Sequence, residues 1–282
     1  MSSVAFPSEA GASEGGLQRA RGGLVLGLRR RGAATVLARL RQEGCLKARF
    51  PRPERGAWTS VVTLNSSGGI AGGDTLATRI EAGPLTRATC AAQAAERFYR
   101  ALPGSAPARV RNSIRVAAGA CLEWLPQESI LFDGCAVDRA LCVDLAEDSW
   151  FLGVESLVFG RTAMGEEVAS ARLRDTIRLR RTGRLVLHDA IRLDGAIRDA
   201  LDRPAIGSGA RAVATIVHAA PDAASRLDAL RSALRGEAGA SAWDGLLVAR
   251  ICARNGADLR AAVVAGMAAL RGSRPLPRVW MC

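Results

Sequence analysis

The segment CLEWLPQESILFDG, residues 121 to 134, sets Glu123, Gln127, Glu128 and Asp133 among Trp124, Leu125, Pro126, Ile130, Leu131 and Phe132. Carboxylates and backbone carbonyls make oxygen sites for hard or borderline cations, and such sites can pass an ion on without trapping it. The same residues equally suit a strand, a proline turn and a second strand with carboxylates solvated on the outer face, or an acidic and aromatic patch for a partner. Two further acids, Glu155 and Glu166, flank the turn GRTAMGE. They could form a hydrolase-like carboxylate pair only if folding brought them together.

Other chemistries are harder to assemble. His188 and His218 are the only histidines, neither has a cysteine or a second histidine at ligand spacing, CxxC and HExxH are absent, and no serine reads as a GxSxG nucleophile elbow. His188, beside Asp189, reads as a hydrogen-bonded scaffold histidine. The seven cysteines are odd in number and not closely paired, which fits a reducing compartment and small buried apolar roles better than a disulfide framework. The loop NSSGGIAGGD, residues 65 to 74, has neither the glycine spacing of a dinucleotide fingerprint nor the Lys-Ser/Thr of a P-loop. Asp74 would oppose a phosphate, and no helical pattern follows. Gly68, Gly69, Gly72, Gly73 and Asp74 are therefore expected to form a bent structural connection, with positive φ at several glycines. These residues yield no active site.

The elements that must position these residues are mostly strands. Period-two alternation begins near residue 21: Leu24, Leu26 and Leu28, then Leu76, Thr78 and Ile80, then Val110, Asn112, Ile114 and Val116, then Leu141, Val143 and Leu145. The clearest hairpin is RLRDTIRLRRTGRLVLHDAIRLDG, which reverses at Gly183. Leu173, Ile177 and Leu179 share one face of its first strand, and Arg172, Arg174, Arg178 and Arg180 share the other. Helical spacing comes late, with Leu227, Leu230 and Leu234 running to Gly236, then a segment from about Ala257 to Gly272. Strands do not alternate with helices as a doubly wound parallel sheet requires. The expectation is a mainly β protein, a single β-rich domain over 21–282 with many short strands in stacked or β-helix-like sheets and a few helices near the C-terminus. Residues 1–20 read as a disordered leader without signal-peptide character.

The formal charge of +12 is almost wholly arginine, because Lys47 is the only lysine. That bias reflects either a GC-rich genome or a surface that attracts nucleic acid, anionic membrane or an acidic protein. An arginine-rich β-type RNA-binding protein is one reading, weakened by the scarcity of aromatic stacking platforms. The longest purely apolar run, AAVVAGMAAL, falls far short of the ~20 residues of a membrane span. A cytoplasmic protein without membrane contact is expected.

Taken together, GGIAGGDTL (68–76), AAERFYR (94–100), LEWLPQESILFDG (122–134), VESLVFGRTAMGEE (154–167) and the terminal PRVW (277–280) resemble the urease accessory protein UreD family, also called UreH. The pieces occur in the family's order and span most of the chain. Ser67 stands where the family usually has proline, and Glu96-Arg97 stands where Thr-Lys is common. The resemblance implies a β-rich, helix-poor scaffold that is not an enzyme. Such proteins associate with a helical UreF-like partner, recruit a UreG-like GTPase and dock on apo-urease so that nickel enters its active site. No tightly bound cofactor and no nucleic acid is implied, but a transient nickel route is. Glu155, Glu166, Glu123, Glu128 and Asp133 are then the candidates to line it. Trp280, after two prolines, is either tucked against the protein's own sheet or presented as an interface anchor. The resemblance favours the interface, shared with the arginine face of Arg172, Arg174, Arg178 and Arg180.

Overall fold

The computed structural model describes residues 18–52, 58–161 and 165–281, so the expected leader lies outside it except for its last three residues. In chain order the strands are β1 (Arg21–Arg31), β2 (Ala34–Gly44), β3 (Leu46–Arg49), β4 (Thr59–Asn65), β5 (Thr75–Ala82) and β6 (Arg87–Ala92). There follow β7 (Glu96–Phe98), β8 (Ala108–Val116), β9 (Cys121–Leu125), β10 (Ser129–Leu131), β11 (Ala136–Leu145) and β12 (Trp150–Phe159). The last are β13 (Ala171–Arg181), β14 (Arg184–Gly195), β15 (Ala212–Ala219), β16 (Glu237–Trp243) and β17 (Leu246–Ala253). The α-helices are α1 (Ile197–Asp202), α2 (Leu227–Ala233) and α3 (Gly256–Arg271). The protein is mainly β, as its alternation predicts.

The strands form two sheets. A seven-stranded sheet runs β14-β13-β11-β8-β5-β1-β2, and a ten-stranded sheet runs β16-β17-β15-β12-β9-β6-β4-β3, with β10 pairing β12 and β7 pairing β10. In the first, β1, β5, β8, β11 and β13 are all parallel. In the second, β4, β6, β9 and β12 are parallel. The absence of strand-helix alternation argues against such parallel pairing only if each crossover needs a helix. Here each crossover is instead a strand of the opposite sheet: the chain passes from β4 to β5, β6, β8, β9, β11, β12 and β13, changing sheet each time. This winding is the β-helix-like arrangement of stacked sheets.

Alternation decides what fills the space between the sheets. Leu24, Leu26, Ile80, Ile114, Val143 and Leu179 point inward from the seven-stranded sheet and meet Leu122, Phe151, Leu157 and Val217 of the other. A second apolar layer lies on the far side of the ten-stranded sheet, where Leu152, Val154, Ile216 and Leu247 pack under Leu230, Leu259, Val263 and Met267 of α2 and α3. Asn255 caps the start of α3, its side chain accepting a hydrogen bond from the Asp258 amide at 2.9 Å. The helix ends at Gly272, whose φ of +61° suits glycine. The other late helix is shorter than its leucine spacing predicts: a 3₁₀ turn, Ala223–Arg226, leads into α2, and Leu234 already has extended backbone.

Candidate functional site

The glycine loop is built as a structural connection. Gly68, Gly69 and Gly73 have positive φ, as expected, whereas Gly72 does not. Gly72 is constrained by space instead, since a Cβ there would lie 2.9 Å from Ala101 Cβ and 3.1 Å from the Ala106 carbonyl. Asp74 is buried and accepts hydrogen bonds from the Ala20 and Ala71 amides at 2.8 and 2.7 Å, so its carboxylate holds the loop's own backbone. The loop is joined to β7 by the Ile70 amide on the Arg97 carbonyl and the Tyr99 amide on the Ile70 carbonyl, both at 2.8 Å.

Between the sheets, this loop and β7 border a cavity of about 240 Å³. It reaches from exposed Gly68, Gln93 and Arg97 to buried Trp124, Arg139 and Glu155. Its inner end is charged because three strands carry an ionic residue at an inward position. Arg139 occupies the place on β11 that Val137 and Leu141 occupy one step either side, and it is in register with Asp175 of β13. Glu155 comes from β12 of the facing sheet. Arg139 donates to Asp175 at 3.1 and 2.8 Å and to the Ser129 hydroxyl at 2.5 Å, and lies 3.1 Å from Glu155. Trp124 Nε1 donates to Glu155 at 2.9 Å. Burial opposes the charge on Arg139, but Asp175 and Glu155 outweigh it and its pKa is raised. Burial raises the pKa of Glu155 despite Arg139, and raises that of Glu96, which accepts from Asn65 Nδ2 at 3.1 Å. Glu96 therefore borders the cavity.

The five carboxylates expected to act together do not converge. Each has an arginine of its own. Glu123, fully buried, is on the opposite face of its sheet from Glu155: it accepts from Arg271 at 2.8 and 2.9 Å, from Arg274 at 3.1 Å and from the Thr89 hydroxyl at 2.6 Å. Its oxygens are thus occupied beneath α3. Glu128 pairs with Arg260 at 3.1 Å. Asp133 pairs with Arg100 and accepts the Ala169 and Ser170 amides, and those contacts, with the Ser170 amide foremost, lower its pKa. Glu166 pairs with Arg161 at 2.8 Å, while residues 162–164 of the same turn lie outside the described residues. Of the five, Glu155 alone borders the cavity. Among the described residues no group of three or more His, Cys, Asp and Glu side chains is placed to hold a metal ion. Burial pushes Cys90 and Cys135 up to about 12, so both thiols are protonated near neutrality.

Trp280 takes the first of its two expected forms. It is 4% exposed and donates from Nε1 to the Leu125 carbonyl at 3.0 Å, so it packs on its own sheet and does not present an anchor to a partner. Gln127 donates to the Val279 carbonyl at 2.6 Å, and Arg260 bridges Gln127 and the Trp280 carbonyl at 2.6 and 2.8 Å. PRVW and LEWLPQE, far apart in sequence, therefore form one seam. The arginine stripe lies where the alternation puts it, on the outer face of the seven-stranded sheet, with Arg172, Arg174 and Arg180 exposed and Arg178 half-buried.

Two wound sheets with a cavity between them that is charged at its inner end, and carboxylates braced by arginines, define a β scaffold. The family model described as UreD urease accessory protein matches residues 20–281. A urease accessory protein UreD of Methylobacterium sp. (strain 4-46) is 47% identical over 272 residues, covering 93% of this chain and 95% of that protein. Urease accessory protein UreD 1 of Bradyrhizobium sp. (strain ORS 278) is 43% identical over 279 residues, covering 98% and 99%. A further relative from Rhodopseudomonas palustris (strain BisB18) is 43% identical over 265 residues, covering 93% and 94%. The chain belongs to the UreD family of urease accessory proteins, which take part in urease maturation and are non-catalytic.

Proposed function

We propose that this protein is a cytoplasmic scaffold that docks on apo-urease with UreF- and UreG-like partners and assists nickel insertion, the inter-sheet cavity serving as the ion's passage. The observation that carries the reading is the cavity itself, which brings Glu96 and Glu155 to one internal space without a converging set of ligands among the described residues. Oxygens already engaged by Trp124, Arg139 and Asn65 could give a passing cation only weak, temporary ligation, whereas a closed set of thiolates or imidazoles would hold nickel too firmly to release it. The protonated state of Cys90 and Cys135 fits the same division of labour. Nickel is then a transient cargo, the protein has no tightly bound cofactor, and GTP chemistry belongs to the UreG-like partner. No helix among the described residues is long and apolar enough to cross a membrane.

The test is co-expression of Glu96→Gln and Glu155→Gln variants with the cognate urease and accessory proteins. Glutamine preserves shape while removing the charge. The expected outcome is a lower nickel content in purified urease with unchanged copurification of the partners. Full nickel loading in both variants, with loss of loading when the cysteines are replaced by alanine, would refute the passage.

A further inference from the structure

The two sheets differ in how their outer faces are covered. Parallel sheets are nearly always packed on both faces, yet only the ten-stranded sheet carries α2 and α3. Among the described residues no helix covers the outer face of the seven-stranded sheet, whose five central strands are parallel, and that face is rich in arginine. Along β13, Arg174, Arg178 and Arg180 point outward, and neighbouring strands add Arg192 from β14 and Arg109 and Arg115 from β8. Among the described residues none of these six has a carboxylate partner within ion-pair distance. The acids of the face are fewer: Asp138 is held by Arg111, Glu81 by Arg79 and Glu43 by Arg41, Asp194 stands opposite Arg172, and Asp144 lies in register between Arg115 and Arg180. Arg174 stands directly opposite Arg192 in the β13–β14 register, and like charges so placed destabilise a strand pair. Between the arginines other outward positions hold small residues: Ala140 and Cys142 on β11, Ser113 on β8 and Ala77 on β5. Guanidinium groups therefore dominate the charge of this face.

We infer that this open sheet face is the docking surface for a partner protein presenting a field of carboxylates. Arginine forks bind carboxylates in pairs, and a carboxylate set between Arg174 and Arg192 would relieve their repulsion. Single-stranded RNA is the poorer match, because the outward positions named above contain no aromatic ring on which a base could stack. The inference rests on the maturation reading only in its choice of protein probes.

The experiment compares the full chain with a face variant, Arg174→Glu/Arg178→Glu/Arg180→Glu, and a control of equal charge change at exposed positions around the helices, Arg203→Glu/Arg226→Glu/Arg235→Glu. Binding is measured to cognate apo-urease, to the UreF-like and UreG-like proteins, to poly-L-glutamate and to a short single-stranded RNA, at about 50 and 300 mM salt. Thermal unfolding of each variant checks its fold. One protein probe should bind the wild type in a salt-sensitive way, lose about tenfold or more in affinity with the face variant and stay within about twofold with the control. Equal binding of that probe to all three chains would overturn the inference, as would a face-dependent loss confined to RNA. If no protein probe binds the wild type, the maturation reading fails. In that event poly-L-glutamate decides: weaker binding by the face variant than by the control upholds the carboxylate surface, and equal binding ends it.

Discussion

The outer faces of the two sheets show how one winding chain separates packing from recognition. On the ten-stranded sheet, Ala214, Ile216, Leu247 and Ala249 are buried under α2 and α3, and even the charged residue there, Glu123, is enclosed by Arg271 and Arg274. On the seven-stranded sheet the corresponding positions are arginines and small residues facing solvent. Both faces use ionic side chains, with opposite consequences. A buried pair is costly to break because the remaining partner is left desolvated and unpaired, whereas an exposed arginine is hydrated whether or not it has a partner. The ionic groups of the first face therefore belong to the stability of the protein and those of the second to its encounters.

Changes on the covered face should give the largest effects. Glu123→Ala leaves Arg271, 4% exposed, without its bidentate acceptor and should cost about 3–5 kcal/mol in chemical denaturation. A loss below about 1 kcal/mol would mean that water enters beneath α3 and that the face is less closed than described. Trp280→Ala should cost about 3 kcal/mol by emptying the seam between PRVW and LEWLPQE. Circular dichroism and denaturant titration would detect it, and an unchanged midpoint would restore Trp280 as an exposed anchor.

The interior offers a smaller, pH-dependent effect. Burial raises the pKa of Glu96 above its ordinary 4.5, so the folded state favours the protonated acid. That contribution is present at low pH and is lost as pH rises from the ordinary value through the raised one. Melting temperatures of wild type and Glu96→Gln, taken between about pH 4 and 7, should therefore shift in favour of the variant as pH increases. A constant difference would show that Glu96 is solvated. The smallest effect is expected on the open face, where each of Arg174→Glu, Arg178→Glu and Arg180→Glu should change stability by no more than about 0.5 kcal/mol. A larger loss there would show that the arginines brace the fold.

Much of this contrast is legible in the sequence, because alternation identifies inward and outward positions strand by strand. Leu173, Ile177 and Leu179 against Arg172, Arg174, Arg178 and Arg180 is the plainest case. The same alternation also marks the inner end of the cavity: extending Leu141, Val143 and Leu145 backward places Arg139 inward, and the gap between Leu173 and Ile177 places Asp175 there. A charged residue at an inward step signals a buried ionic cluster. Which charges meet was not legible, since Glu155 reaches Arg139 from the facing sheet and depends on how the sheets stack. The arginine partners of the five carboxylates were hidden for the same reason: Arg271 lies 148 residues from Glu123 in the chain. The parallel pairing was hidden too, because two stacked sheets can serve as one another's crossovers without any helix in the pattern.

The register shifts at the two ends of the seven-stranded sheet constrain how another molecule can approach it. Pairing slips between Gly27 and Leu28 where β1 meets β2, and between Leu179 and Arg180 where β13 meets β14, so each outermost strand carries one extra residue, Ala38 and Val186 respectively. An inserted residue bends and twists a border strand and spoils the regular row of amides and carbonyls that an incoming strand would need. Continuation of the sheet by a second chain is thereby discouraged at both borders, which guards a long, largely parallel sheet against stacking edge to edge into fibres. It also leaves side chains, and not the polypeptide backbone, to decide which molecule is accepted.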